Sequence, residues 1–285
     1  MQNVKNILIP GSDQYPITLD IFFEEKGVRQ PVIIYAHGFN GFKDWGNFDL
    51  IAEKFAAKGF CFIKFNFSHN GTTPLYPEEF ADLEAFGKNN YSKELADLRS
   101  VADWVCDPSN PYNKTIDNNR VSLIGHSLGG GVAILFAAED QRIRNLITWA
   151  GIGECKTPWG NWPEEKMLAW KHNGVDYYIN GRTKQKMPLY YQLYEDYRQN
   201  ENRFNIQKAI SRLRIPILIC HGTLDTAVPV QKAFDLVKWQ PCAQLFTLET
   251  DHVFGRKHPW TENYLPPEMN AVIEENLLFI GQHNT

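Results

Sequence analysis

The chain has 285 residues, 43% hydrophobic and 13% aromatic, and its 29 basic and 33 acidic residues leave a formal net charge of −4. That is enough apolar material for one large core, or a core with a small appendage. The near-even charge, with no Lys/Arg cluster interleaved with aromatics, excludes the usual footprint of a nucleic-acid partner.

Residues 1–10 lack the charged and long apolar regions of a signal peptide, and no stretch approaches roughly 18 uninterrupted apolar residues. A cytoplasmic protein with no membrane partner is expected. Cys61, Cys106, Cys155, Cys220 and Cys242 form no CxxC pair, and an odd number suits reduced thiols.

In chain order, Val4–Ile9 and Ile17–Glu25 read as strands joined by a turn, with no helix between them, an antiparallel start to a sheet. Pro31–Ala36, Phe60–Phe67, Arg120–Gly125, Leu146–Ala150, Pro216–Cys220 and Ala243–Leu248 follow as strands. Several are apolar throughout, as parallel strands buried on both faces should be. Between and after them, Phe48–Lys58, Ser92–Cys106, Leu128–Glu139, Val230–Lys238 and Ala271–Gln282 carry helical apolar spacing. The alternation predicts an α/β fold with a mostly parallel eight-stranded sheet and helices on both faces.

Residues 153–207 break that rhythm and are rich in Trp and Tyr, so residues 1–152 and 208–285 are expected to form the core and 153–207 an inserted lid. Within it, Val175–Ile179 and Arg182–Met187 flank Asn180-Gly181, a pair suited to a two-residue hairpin turn.

Gly125-His126-Ser127-Leu128-Gly129 has the G-x-S-x-G pattern. The bare pattern arises by chance in about one chain of this length in ten, so its position carries the weight: it falls where a predicted strand ends and a helix begins. There a sharp turn raises the serine above the sheet edge, and glycines two positions away avoid collisions. The Leu128 N–H at the helix start is then a candidate oxyanion donor.

A serine hydroxyl needs a base, and the base an orienting acid, at the ends of later strands. Asp225 follows the strand Pro216–Cys220, and His252 follows Ala243–Leu248. Glu154, after Leu146–Ala150, stands as an alternative acid, and Asp251 is assigned to solvent. The loop His37-Gly38-Phe39-Asn40-Gly41 follows the strand where a second oxyanion donor should arise, and the Phe39 N–H is the candidate. His37, His126, His221 and His258 are expected to be structural; no histidine pair has metal-ligand spacing, so neither metal nor cofactor is expected. Trp159, Trp162, Tyr178 and Tyr190 are the insertion's candidate substrate contacts, with the rest of its aromatics packing it to the body.

With these stretches, together with Val228-Pro229 and Asp251-His252, the sequence resembles the α/β-hydrolase superfamily. Within it, the chain is similar to the dienelactone-hydrolase and prolyl-oligopeptidase-type serine hydrolases. The early loop and the aromatic insertion after the sixth strand are similar to bacterial cinnamoyl and feruloyl esterases. The resemblance covers nearly the whole chain and implies a nucleophile at Ser127, an acid at Asp225, a base at His252, donors at Phe39 and Leu128, a lid, and a small ester substrate cleaved through an acyl-enzyme. Peptide, thioester or lactone hydrolysis by the same residues, and a non-catalytic binding protein on the same fold, are the alternatives. The chain departs at Asn66-Phe67-Ser68-His69-Asn70-Gly71, where related enzymes often carry an Asp and a G-x-G-x-S run. The sequence sets no oligomeric state, a homodimer being one option.

Overall fold

The sheet is assembled from strands β1 (Gln2–Pro10), β2 (Pro16–Phe23), β3 (Gln30–Ala36), β4 (Cys61–Asn66), β5 (Ile116–His126), β6 (Ile143–Trp149), β9 (Ile217–Gly222) and β10 (Gln244–Leu248), while β7 (Val175–Ile179) and β8 (Lys186–Tyr190) form a separate hairpin. This is a computed structural model that describes residues 1–283, so the last two positions of the 208–285 segment lie outside the described residues. Spatial order is β1-β2-β4-β3-β5-β6-β9-β10. β1 with β2 and β2 with β4 are antiparallel, and every later pair is parallel.

Successive residues of β3 alternate between two cores: Val32, Ile34 and Ala36 enter one, Ile33 and Tyr35 the other. That two-sided burial is what a parallel interior strand requires. Helices α3 (Tyr91–Cys106), α4 (Leu128–Glu139), α7 (Ile206–Arg212) and α8 (Gln231–Trp239) contribute to the first core, and α1 (Phe48–Ala57) and α9 (Pro267–His283) to the second. The remaining helices are α2 (Leu83–Gly87), before α3, and α5 (Glu164–Asn173) and α6 (Gln192–Gln199), in the segment between β6 and β9. No helix among the described residues is long and apolar enough to cross a membrane.

Three elements differ most from the sequence reading. β5 begins at Ile116 rather than Arg120, because Ile116 and Asp117 pair with Gln30 and Pro31 ahead of a register shift, and the polar residues Asp117, Asn118 and Asn119 carry no apolar signal. α9 begins at Pro267, one turn before Ala271. The hairpin does not turn at Asn180-Gly181 alone: Ile179 pairs with Lys186, leaving a six-residue connection, 180–185. Asn180 Oδ1 accepts the N–H groups of Arg182 (2.9 Å) and Thr183 (3.1 Å), and Lys184, at φ 60°, takes the left-handed position. The asparagine side chain builds the loop instead of a tight turn.

Beneath the loop after β3 lies an ionic cluster with no sequence signature. Asp20, Lys43 and Lys64 side chains are each at most 1% exposed. Asp20 Oδ2 lies 2.8 Å from Lys43 Nζ and 3.0 Å from Lys64 Nζ, and Oδ1 accepts the Asn6 N–H at 2.8 Å. Lys64 also pairs with Asp44 and Asp49, so an ammonium neutralises the carboxylate cluster. Lys43 N–H donates to Asn66 Oδ1 at 2.6 Å, tying the loop to β4.

Removing one partner of a buried ion pair costs about 3–5 kcal/mol, because the other charge is left uncompensated. Asp20→Asn should therefore lower unfolding free energy by about that amount in urea titrations, and an unchanged midpoint would contradict the cluster's structural role.

Candidate active site

At the end of β5 the chain turns into α4 at Ser127, whose φ of 56° and ψ of −119° lie in a region that residues with side chains rarely adopt. The neighbours leave no other course. Ser127 N–H donates to Trp149 O at 2.9 Å, and Ser127 O accepts from Gly130 at 3.0 Å and Ile152 at 3.1 Å. A Cβ on Gly125 would stand 2.3 Å from Gly129 O, and one on Gly129 would stand 2.3 Å from His37 O. Only hydrogen fits at either position, which is the physical content of the G-x-S-x-G spacing.

Ser127 shares a cavity of about 170 Å³ with Phe39, Phe42, His126, His252 and Arg256. His252 Nδ1 donates to Asp225 Oδ2 at 2.7 Å, leaving Nε2 as the free ring nitrogen. Among the described residues Ser127 Oγ makes no hydrogen bond; what places it with His252 is the shared cavity. The N–H groups of Phe39 and Leu128 likewise have no partner among the described residues, and both residues stand beside the serine.

Asp225 is fully buried at its side chain. Burial works to raise its pKa, but hydrogen bonds from His221, His252 and the Val228 N–H outweigh it and hold the carboxyl well below the usual range. Oδ1 accepts the N–H groups of Ala227 and Val228, both at 2.8 Å. His221, four residues earlier, lies 3.3 Å from Oδ2 and donates from Nε2 to Val228 O at 2.8 Å, so it braces the turn that carries Asp225.

His126, the variable position of the motif, performs the matching service for His252: its Nε2 donates to His252 O at 3.0 Å. Burial first, then the charges of His252 and Arg256, keeps its pKa well below the ordinary value, so it stays a neutral donor. Arg256 completes the brace, with Nε donating to Val253 O at 2.7 Å and its guanidinium over the rings of Trp45, Phe48 and Trp149. His37 is buried, its pKa pushed down to about 4 by desolvation, with Nδ1 on Gly38 O at 2.9 Å. In the loop 66–71, Asn70 donates to Gly41 O at 3.3 Å, so the residues that replace the familiar run secure the loop carrying Phe39.

Other sequence candidates sit elsewhere. Glu154 is exposed and paired with Lys232 at 3.0 Å and Lys156 at 2.9 Å. Asp251 shapes its own loop, accepting the N–H groups of Val253 and Gly255, rather than merely facing solvent. Trp159 is buried among Tyr91, Trp170, Tyr194 and Tyr197, and Trp162 packs on Trp170, its ring centroid 5.2 Å away. Neither lines the cavity that holds Ser127. Tyr190 donates to Glu84. Tyr178 reaches the cavity wall: its hydroxyl donates to Asn40 Oδ1, and its ring lies 5.9 Å from that of Phe39.

A mostly parallel eight-stranded sheet with an antiparallel start, helices on both faces, and a serine held in a strained strand-to-helix turn after β5 define the α/β-hydrolase fold. More narrowly, the chain belongs to the BD-FAE family, whose sequence model matches residues 19–240.

Over 132 residues it is 30% identical to an uncharacterized 31.7 kDa protein in the traX-finO intergenic region of Escherichia coli, covering 46% of this chain and only 41% of that relative's length. Over 208 residues it is 27% identical to the 2-hydroxymuconate semialdehyde hydrolase of Pseudomonas putida, covering 64% of this chain and 69% of that one. Among solved structures, Est1E from Butyrivibrio proteoclasticus with ferulic acid bound shares the fold at a TM-score of 0.72 and 17% identity, over 97% of this chain and 98% of that one.

Gly129→Ala would drive a methyl group into the His37 carbonyl, backbone that cannot swing aside. Thermal denaturation should show a loss beyond the ordinary range of about 0.5–3 kcal/mol for point substitutions, whereas wild-type stability would contradict the close approach.

Proposed function

We propose that the protein is a serine esterase that cleaves small carboxylic esters, with aromatic acyl groups favoured, through an acyl-enzyme on Ser127. The observation that carries this reading is the 2.7 Å contact between His252 Nδ1 and Asp225 Oδ2 at the cavity shared with Ser127.

In this scheme His252 Nε2 takes the Ser127 proton as Oγ attacks the acyl carbon. Negative charge forms on the carbonyl oxygen, and the N–H groups of Leu128 and Phe39 are its donors. His252 passes the proton to the departing alcohol, then activates water to release the acid. Asp225, held ionised by its donors, fixes the ring and stabilises the imidazolium.

The segment 153–207 acts as a lid in this reading, anchored to the oxyanion loop by Tyr178 on Asn40. Aromatic walls beside the serine favour a flat acyl group, and the ferulic acid bound to Est1E supports the same class. Five unpaired cysteines fit action in a reducing compartment.

Ser127→Ala should cut turnover of p-nitrophenyl acetate by at least about 10³-fold and abolish labelling by a fluorophosphonate. Retained turnover would reject the nucleophile. Asp225→Asn should lose most activity and Glu154→Gln little, as read by kcat/KM; the reverse pattern would move the acid to the loop after β6.

A further inference from the structure

The loop between β3 and α1 has two faces. Phe42, Trp45 and Phe48 line the Ser127 cavity, while Lys43, Asp44, Gly46 and Asn47 line a second cavity of about 350 Å³, a volume typical of small-molecule sites. The two cavities have no lining residue in common. Lys5 and Asn6 of β1, Pro77-Glu78, and the chain from His258 to Glu262 supply most of the remaining wall.

Asn47 stands immediately before α1 and is 3% exposed. An asparagine there ordinarily accepts from the free N–H groups of the helix, but this side chain makes no such bond. Neither its Nδ2 nor its Oδ1 has a hydrogen-bond partner among the described residues. A buried amide stranded at both ends costs free energy that a ligand bringing an acceptor and a donor would recover.

A further donor borders the same cavity. Gly46 N–H donates to His258 Nδ1 at 2.8 Å, which puts the ring proton on Nε2. Burial, with the Arg182 charge beside it, holds the His258 pKa below its ordinary value, so the ring stays neutral. Trp260 adds an indole to the wall, its own N–H spent on Tyr264 O at 3.0 Å.

The charges narrow the ligand class. Lys5 pairs with Asp49 and Lys43 with Asp44, and Lys64 reaches both carboxylates. Each lysine lining the cavity thus has its carboxylate, and Glu78 and Glu262 add two more acidic groups, which disfavours an anion. A metal ion would have to displace the Lys64 ammonium. An organic ammonium offers nothing to accept from Asn47 Nδ2 or His258 Nε2. Neighbouring hydroxyls on one ring meet both needs: one donates to Asn47 Oδ1 while the next accepts from Nδ2 or Nε2, and the ring's C–H face suits the indole.

We propose that this cavity is a binding site for a neutral saccharide, with Asn47 and His258 meeting vicinal hydroxyls and Trp260 lying against the sugar ring. It stands apart from the Ser127 cavity and does not rest on the esterase reading.

The test titrates isotope-labelled protein with the methyl β-pyranosides of glucose, galactose and mannose and follows the Trp260 indole and Asn47 side-chain amide signals by NMR. At least one glycoside should shift both signals saturably, and tetrahydropyran-2-methanol, which keeps the ring but lacks the vicinal hydroxyls, should not. Asn47→Ala, read at Trp260, and Trp260→Ala, read at Asn47, should each weaken binding by about 5-fold or more, while Ser127→Ala should bind as the wild type does. Should Asn47→Ala not fold, Trp260→Ala, on an exposed loop, carries the test.

No saturable shift by roughly 100 mM of any glycoside, an equal response to the ring alcohol, or undiminished affinity in the variants overturns the site. Choline binding more tightly than every glycoside overturns it too. Turnover of p-nitrophenyl acetate by the same samples reads the esterase separately: turnover without glycoside binding rejects the site alone, and glycoside binding without turnover rejects the esterase reading alone.

Discussion

At Ser127 the backbone is held at φ 56° against the preference of any residue with a side chain. What holds it is contact on every side: β6 supplies the Trp149 carbonyl, α4 and the residues after β6 take up the Ser127 carbonyl, and the end of β3 lies against Gly129. Strain of this kind, about 1–3 kcal/mol, persists only where the surroundings over-determine it. Here the surroundings are the centre of the sheet, so the best-packed part of the molecule fixes the one residue that must stand proud of it. α4 is buried along Leu128–Ala137, and its three consecutive glycines, Gly129, Gly130 and Gly131, let it sit close to the strands.

Around that fixed point the other groups arrive on loops, and histidines secure the loops. His126 holds the backbone of His252, and His221 holds the turn of Asp225. The protein thus places one histidine beneath the proposed base and another beneath the proposed acid, and the supporting ring at the base is kept neutral by burial. Arg256 and its three aromatic rings close the far side of the same loop. On the opposite wall, Asn40, Asn66 and Asn70 tie the Phe39 loop to the hairpin and to β4. Precision in the site comes from these polar ties rather than from the loop sequences themselves.

Whatever in this arrangement rests on periodicity or on a tight backbone turn was legible from residues alone. The buried strands, the antiparallel start and the strand-to-helix serine all announce themselves through apolar runs and glycine spacing. Features made by long-range polar pairing left no such trace. The cluster of Asp20, Lys43 and Lys64 joins positions more than twenty residues apart and looks like ordinary surface charge. The hairpin misled because Asn180-Gly181 suits a tight turn, yet the Asn180 side chain organises a longer loop. Trp159 and Trp162 suggested a substrate wall by type, but they pack the insertion onto the body, Trp159 against Tyr91 of α3 and Trp170, and Trp162 against Trp170.

The central claim is that the ester's acyl group rests covalently on Ser127 during turnover. Acid quenching during steady hydrolysis of p-nitrophenyl acetate, followed by peptide mapping by mass spectrometry, tests it directly. An acetyl group on the peptide containing Ser127, lost again when the quench is delayed until substrate is exhausted, is the predicted result. Steady hydrolysis with that peptide unmodified, or with the acetyl group carried by another residue, would contradict the account.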